Sequence, residues 1–283
     1  MNKKIPNIII AVLIMSSSIA TLTYGQRQHP TETKNLGYSG NYTIQWSHNY
    51  GTNSRYCGRF QGPQPIGDAD NDGKNEFLIS GRDGLLRVMK WNAQNQTYLQ
   101  VQSLHPPLYP FINCSAGGMA IGDVMNNGKN QIAATWYTTV YQYSNGKYRL
   151  ATVNPWIFLH SGGSSDCLIG DCLNDGKNEL ILSGSGYNQS SPVGQITVFR
   201  WNGLFLQRVA QWKDPNLTAF YYNDNVYMAG LGDVNNDGKN EIVCAYANKI
   251  MALQWDAGKK AFQPTLVKQY SFDPRAGGPF GCV

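Results

Sequence analysis

The stretch IGDADNDGKNEFLISG at residues 66–81 sets Asp68, Asp70 and Asp72 at alternate positions ahead of Gly73 and then adds Glu76. Like charges crowded this closely repel one another, so the cluster points to a cation among them. With the Lys74 carbonyl turned inward, hard oxygen donors fall at positions 1, 3, 5, 7 and 9 of the loop, the donor chemistry of Ca²⁺. An EF-hand opens the same way but closes with a glutamate at position 12, where this loop has Ile79, and it needs flanking helices.

The phrase returns as IGDVMNNGKNQIAATW at 121, IGDCLNDGKNELILSG at 169 and LGDVNNDGKNEIVCAY at 231, always with Gly-Lys-Asn in the same place. The loops are unequal in ligands. Loop four keeps Asp233, Asn235, Asp237, the Lys239 carbonyl and Glu241, and is expected to bind calcium as loop one does. Loop three keeps Asp171, Asp175, the Lys177 carbonyl and Glu179 but has Leu173 where a ligand should stand. Loop two has Met125 there and Gln131 for the final acid, and is expected to be empty. The competing reading is a set of Asn/Gly turns whose side chains satisfy their own backbones.

What must position these loops is a repeating β unit. The opening aspartates Asp68, Asp123, Asp171 and Asp233 give periods of 55, 48 and 62 residues, in or just above the range of propeller blades. Each loop lies between short β-like runs, as in GGMAIG before loop two and EFLIS after loop one. A third run (LLRVMKW, TTVYQY, QITVFRW, KIMALQW) and a fourth follow, joined by turns such as Asn145-Gly146 and Asn202-Gly203. No capped helical period is evident in the mature chain. Four-stranded sheets repeated about an axis bury both faces against one another, so an all-β propeller is expected.

These phrases resemble the FG-GAP or VCBS repeat, the calcium-bearing blade of integrin α heads and of many secreted proteins. The resemblance covers roughly residues 56–270 and implies blades at about 56–103, 114–153, 165–212 and 226–270 within a propeller region of 42–283. YTIQWSH at 42–48 resembles an outermost strand, and GGPFGCV at 277–283 an innermost one that stops short of Ile-Gly-Asp. The expectation is an incomplete or truncated propeller, and the alternative is a five-bladed ring closed by both orphan strands.

Residues 1–25 give a lysine pair, an apolar core from Ile8 to Met15 and then small polar residues, the layout of a secretory signal or, failing cleavage, an N-terminal anchor. Residues 26–41 read as a linker. Without Lys3 and Lys4, 21 basic residues face 18 acidic ones, too mild a balance to suggest nucleic acid. The sequons at Asn41, Asn95, Asn113, Asn188 and Asn216 fit a glycosylated, extracellular chain. The six cysteines, Cys57, Cys114, Cys167, Cys172, Cys244 and Cys282, allow fifteen disulfide pairings, while Cys167 and Cys172 could equally be buried thiols.

If the acidic loop joins the first and second strands of each blade, the blade-to-blade connections emerge at the opposite rim. They are aromatic, and Tyr109, Trp156, His160, Tyr221 and Tyr222 are the candidates for stacking on a sugar or anchoring a protein. His29, His48, His105 and His160 are scattered, and Asp83, Asp214, Asp224 and Asp256 sit in turns, so no catalytic constellation stands out. The expected function is therefore a secreted, non-catalytic binding or adhesion module for glycan or protein. The alternative implied by similar propellers is a calcium-dependent rhamnogalacturonan-type lyase.

Overall fold

The computed structural model describes residues 44–48, 65–80, 84–107, 117–135, 138–153, 164–188, 191–213, 226–246 and 249–269. The chain divides into two compact units, Met1–His48 and Asn49–Val283. In the first, residues 44–48 lie outside any strand, with the Trp46 and His48 rings stacked at 6.1 Å. The strand expected over 42–48 is therefore not formed there: a strand needs a neighbour to take up its N–H and C=O groups, and no ladder among the described residues includes this segment. The matching C-terminal segment, 277–283, lies outside the described residues.

The second unit contains four antiparallel sheets of four strands, the blades of a β-propeller. Blade one is β1 (Ile66–Gly67), β2 (Glu76–Ser80), β3 (Leu86–Asn92) and β4 (Thr97–Leu104). Blade two is β5 (Met119–Gly122), β6 (Gln131–Ala134), β7 (Thr139–Ser144) and β8 (Lys147–Val153). Blade three is β9 (Ser164–Gly170), β10 (Glu179–Asn188), β11 (Ser191–Trp201) and β12 (Leu206–Lys213). Blade four is β13 (Val226–Gly232), β14 (Glu241–Tyr246), β15 (Lys249–Asp256) and β16 (Ala261–Gln269).

Burial along the strands follows from this stacking. The second strand of a blade is covered on both faces, so β6 is buried throughout and β14 nearly so, and each runs on after a polar first residue without alternation. The outermost strand has one face in water, and β8 alternates accordingly. Three cores fill the spaces between successive blades. Leu78, Val88 and Ile132 lie between blades one and two, Val140, Leu180 and Phe199 between two and three, and Ile196, Val198 and Leu253 between three and four.

Near the axis the first strands of successive blades touch. Their glycines permit the approach: a Cβ on Gly67 would lie 3.0 Å from Ile121, one on Gly122 3.0 Å from Ile169, and one on Gly170 2.5 Å from Leu231. The row ends at blade four, where no described residue comes within 4 Å of a Cβ built on Gly232. The first blade mirrors this, since Ile66, the counterpart of Ile121 and Ile169, is 69% exposed. Each blade also carries a register shift between its third and fourth strands at the same place, after Val88, Val140, Val198 and Ala252. Repetition of the bulge marks it as part of the blade design.

Candidate metal centre

In every blade the acidic loop joins the first strand to the second. An antiparallel meander places these loops and the turns between third and fourth strands at one end of the blades, with the remaining connections at the other end. Each loop bends through the same left-handed positions: Asn71, Asn126, Asn174 and Asn236 at φ 53–62°, then Gly73, Gly128, Gly176 and Gly238 at φ 78–85°. Asparagine and glycine tolerate that region best, which explains the unvarying N-x-G of the repeat.

The first aspartate clamps the turn. Asp68 accepts hydrogen bonds from the N–H groups of Asp72 (2.9 Å) and Gly73 (2.8 Å) through its two oxygens. Asp123, Asp171 and Asp233 do the same in their own loops, at 2.7–3.1 Å. The final acid ties the loop from the other side. Oε2 of Glu76 accepts from the N–H of Ala69 at 2.9 Å, and Glu179 and Glu241 accept from Cys172 at 3.1 Å and Val234 at 3.0 Å. Gln131 substitutes with its carbonyl, accepting from Met125 at 3.1 Å. Much of the carboxylate chemistry thus satisfies backbone, as the turn reading anticipated.

What remains is the outward oxygen of the final acid and the carboxylates of the third and fifth positions. In loop one, Asp68, Asp70 and Glu76 converge closely enough to hold a metal ion, as do Asp171, Asp175 and Glu179 in loop three. Both clusters already surround a side-chain cation. Lys90 Nζ lies 2.6 Å from Asp70, 2.8 Å from Asp72 and 2.8 Å from Glu76 Oε1. Oε1 of Glu76 is buried, and the Lys90 ammonium at 2.8 Å is what compensates its charge. Arg200 Nη2 lies 2.8 Å from Asp175 and against Glu179, whose Oε1 also accepts from Arg200 Nε at 2.8 Å. Burial works to lower the Lys90 pKa, but its hydrogen bonds to Asp70, Asp72 and Glu76 prevail and hold it above the ordinary lysine range. The hydrogen bond from Lys90 in turn holds Asp72 below the usual carboxylate range.

Loop four differs. Gln254 donates from Nε2 to Asp237 (2.7 Å) and Glu241 (2.6 Å), and Asn235 Nδ2 lies 3.3 Å from the same two oxygens. Among the described residues no lysine or arginine pairs with Asp233, Asp237 or Glu241. Asp233, Asp237 and Glu241, unlike the acids of loops one and three, do not converge on one point, and the two amides fill the space between them. Loop two offers one carboxylate, Asp123, while Gln131 donates to Asn127 at 3.3 Å and to the Lys129 carbonyl, and this set does not fit. The Lys74, Lys177 and Lys239 residues donate their N–H to Asp72, Asp175 and Asp237 at 2.9–3.2 Å.

Sequence reasoning missed a set of residues that bolts the loops together. From the second blade on, the asparagine of Gly-Lys-Asn reaches the preceding blade: Asn130 Nδ2 donates to the Asp68 carbonyl (2.8 Å), Asn178 to that of Asp123 (3.0 Å) and Asn240 to that of Asp171 (2.8 Å). Their N–H groups bond to the side chains of Asn71, Asn126 and Asn174 at 2.6–2.7 Å. Constancy of Gly-Lys-Asn was the available signal. Asp166 also bridges blades, accepting from the Met228 N–H at 2.7 Å, and burial pushes its carboxyl up to about 6.

The proposed ligand residues Tyr109, Trp156, His160, Tyr221 and Tyr222 lie outside the described residues, as do Cys57, Cys114 and Cys282. Cys167 and Cys172 are buried free thiols, and Cys244 is buried. The sequon residue Asn95 is exposed in the turn between β3 and β4. Among the described residues no helix is long and apolar enough to cross a membrane.

No family model matches the chain. It is 26% identical to KICSTOR complex protein ITFG2 of Bos taurus over 49% of this chain, and it spans only 26% of that protein. The β-propeller domain of Nup133 from Vanderwaltozyma polyspora superposes with a TM-score of 0.50 at 11% identity, over 76% of this chain and 65% of that one. The exotype rhamnogalacturonan lyase YesX gives a TM-score of 0.41 at 16% identity, over 69% and 39% of the two chains, too distant to bear on activity. The likeness to the Nup133 domain speaks to architecture alone, and it agrees with the sheets: the described residues form four antiparallel blades of a β-propeller.

Proposed function

We propose that the chain is an exported FG-GAP-type propeller that acts as a non-catalytic binding module, with calcium bracing its loops and the opposite rim engaging an extracellular protein or glycan. The observation that carries this reading is the recurrence of one acidic loop at the same corner of all four blades, each bonded to the next by the asparagine pair. A ligand at that end adds oxygen bridges to a scaffold already cross-tied there, so the ion stabilises by mass action and leaves the other end free for recognition. In loop four Asp233, Asn235, Asp237 and Glu241 are the residues that would hold the ion. The weak likeness to ITFG2, named as a complex component, supports a protein among the candidate partners.

The test applies the full-length chain to a glycan array with calcium or with chelator, alongside incubation with rhamnogalacturonan. Calcium-dependent retention on defined glycans supports the glycan arm, and retention on none directs the search to protein ligands. Unsaturated oligosaccharide products would overturn the non-catalytic reading in favour of a lyase.

A further inference from the structure

The strand register pairs Glu76 with Lys90 and Glu241 with Gln254. In blade three Leu180 pairs with Phe199, and the next residue along β11, Arg200, reaches Glu179 through its guanidinium. In loops one and three the residue that meets the final acid is a cation whose charged nitrogen touches two or three of the carboxylates a metal would need. In loop four it is a neutral amide that touches two.

We propose that Lys90 and Arg200 are built-in counter-ions that occupy the cation positions of loops one and three in place of a divalent cation. That assignment stands on their own contacts, whereas calcium at loop four belongs to the reading given above.

The chemistry requires an exclusive choice. Lys90 Nζ sits within 2.8 Å of Asp70, Asp72 and Glu76 together, so a calcium ion with oxygen distances near 2.4 Å would share its space and meet its charge at close range. A tethered ammonium loses no translational freedom on seating and is present at any calcium concentration. Loops one and three are thereby set irrespective of the medium, each by a single residue on the neighbouring strand.

The experiment counts calcium bound to the full-length chain by equilibrium dialysis with radioactive calcium, comparing variants with wild type. Lys90→Gln copies the loop-four arrangement into loop one and is expected to add one equivalent. Asp72→Asn, which keeps Lys90 in place, is expected to leave the count unchanged. Asp237→Asn in loop four is expected to remove one equivalent. Loss of an equivalent in Asp72→Asn overturns the counter-ion assignment, as does an unchanged count in a Lys90→Gln protein whose circular dichroism and melting are native. If Lys90→Gln fails to fold, the Asp72→Asn comparison decides. An unchanged count in Asp237→Asn overturns the loop-four assignment without touching that of Lys90.

Discussion

Single side chains in this molecule divide their work between backbone and charge. The first aspartate and one oxygen of the last acid hold each loop's shape, and only the remaining oxygens face a cation. The acids were legible in the sequence; the cations were not. Lys90 follows Glu76 by 14 positions and Arg200 follows Glu179 by 21, because the intervening hairpins differ in length. Only the cross-strand register reveals that they are equivalent. Asp166 gives a prediction at this scale. Its folded carboxyl is pushed up to about 6 by burial, so the folded chain holds that proton more tightly than the unfolded chain does. Its contribution to stability is therefore full at pH 4 and is lost as pH rises through about 6, on the order of 3 kcal/mol. Asp166→Asn keeps an oxygen for the Met228 N–H without the charge. Thermal melts from pH 4 to 8 should show the variant gaining on wild type between pH 4 and about 6 and keeping a constant lead above that, and curves parallel throughout would argue against a buried, raised carboxyl.

Among elements, the strands were the most legible part of the chain. Runs such as EFLIS, QIAAT and EIVCA became β2, β6 and β14 within a residue or two, because apolar runs bounded by glycine and asparagine turns leave little choice. Asn145-Gly146 forms the expected tight hairpin, with φ of 51° and 74°. The segment over 44–48 shows the limit of pattern reading, since alternation alone does not supply the partner strand that a ladder needs. Contacts between blades were legible only as unexplained constancy of Gly and Asn. A methyl on Gly122 would meet Cγ2 and Cβ of Ile169 at 3.0 and 3.1 Å, close to a rigid backbone, so Gly122→Ala should cost about 1–3 kcal/mol in urea denaturation. Gly232→Ala, at the same place in blade four, should stay within about 0.5 kcal/mol. Equal costs would mean that both glycines are packed alike. Asn178→Ala removes the bond to the Asp123 carbonyl and should cost about 1–2 kcal/mol by the same measurement.

At the scale of the whole molecule, the period of the acidic phrase foretold the propeller, and four sheets with three shared cores realise it. The terminal blades present faces that their inner counterparts bury: Ile66 is 69% exposed and Val234 50%, whereas Ala69, Val124 and Cys172, at the place of Val234 in the other loops, are buried. That asymmetry follows from stacking, in which every inner blade covers the one before it, and no single repeat could have foretold it. The account turns on the proposed ion-responsive corner in blade four, braced against a cross-tied row of loops. The most direct test is the melting temperature of the full-length chain in 10 mM calcium and in chelator, for wild type and Asp237→Asn. With sites of about 0.1–1 mM affinity, calcium should raise the wild-type midpoint by about 3–8 °C and leave the variant unmoved. Identical melting of the wild type in calcium and in chelator would contradict it.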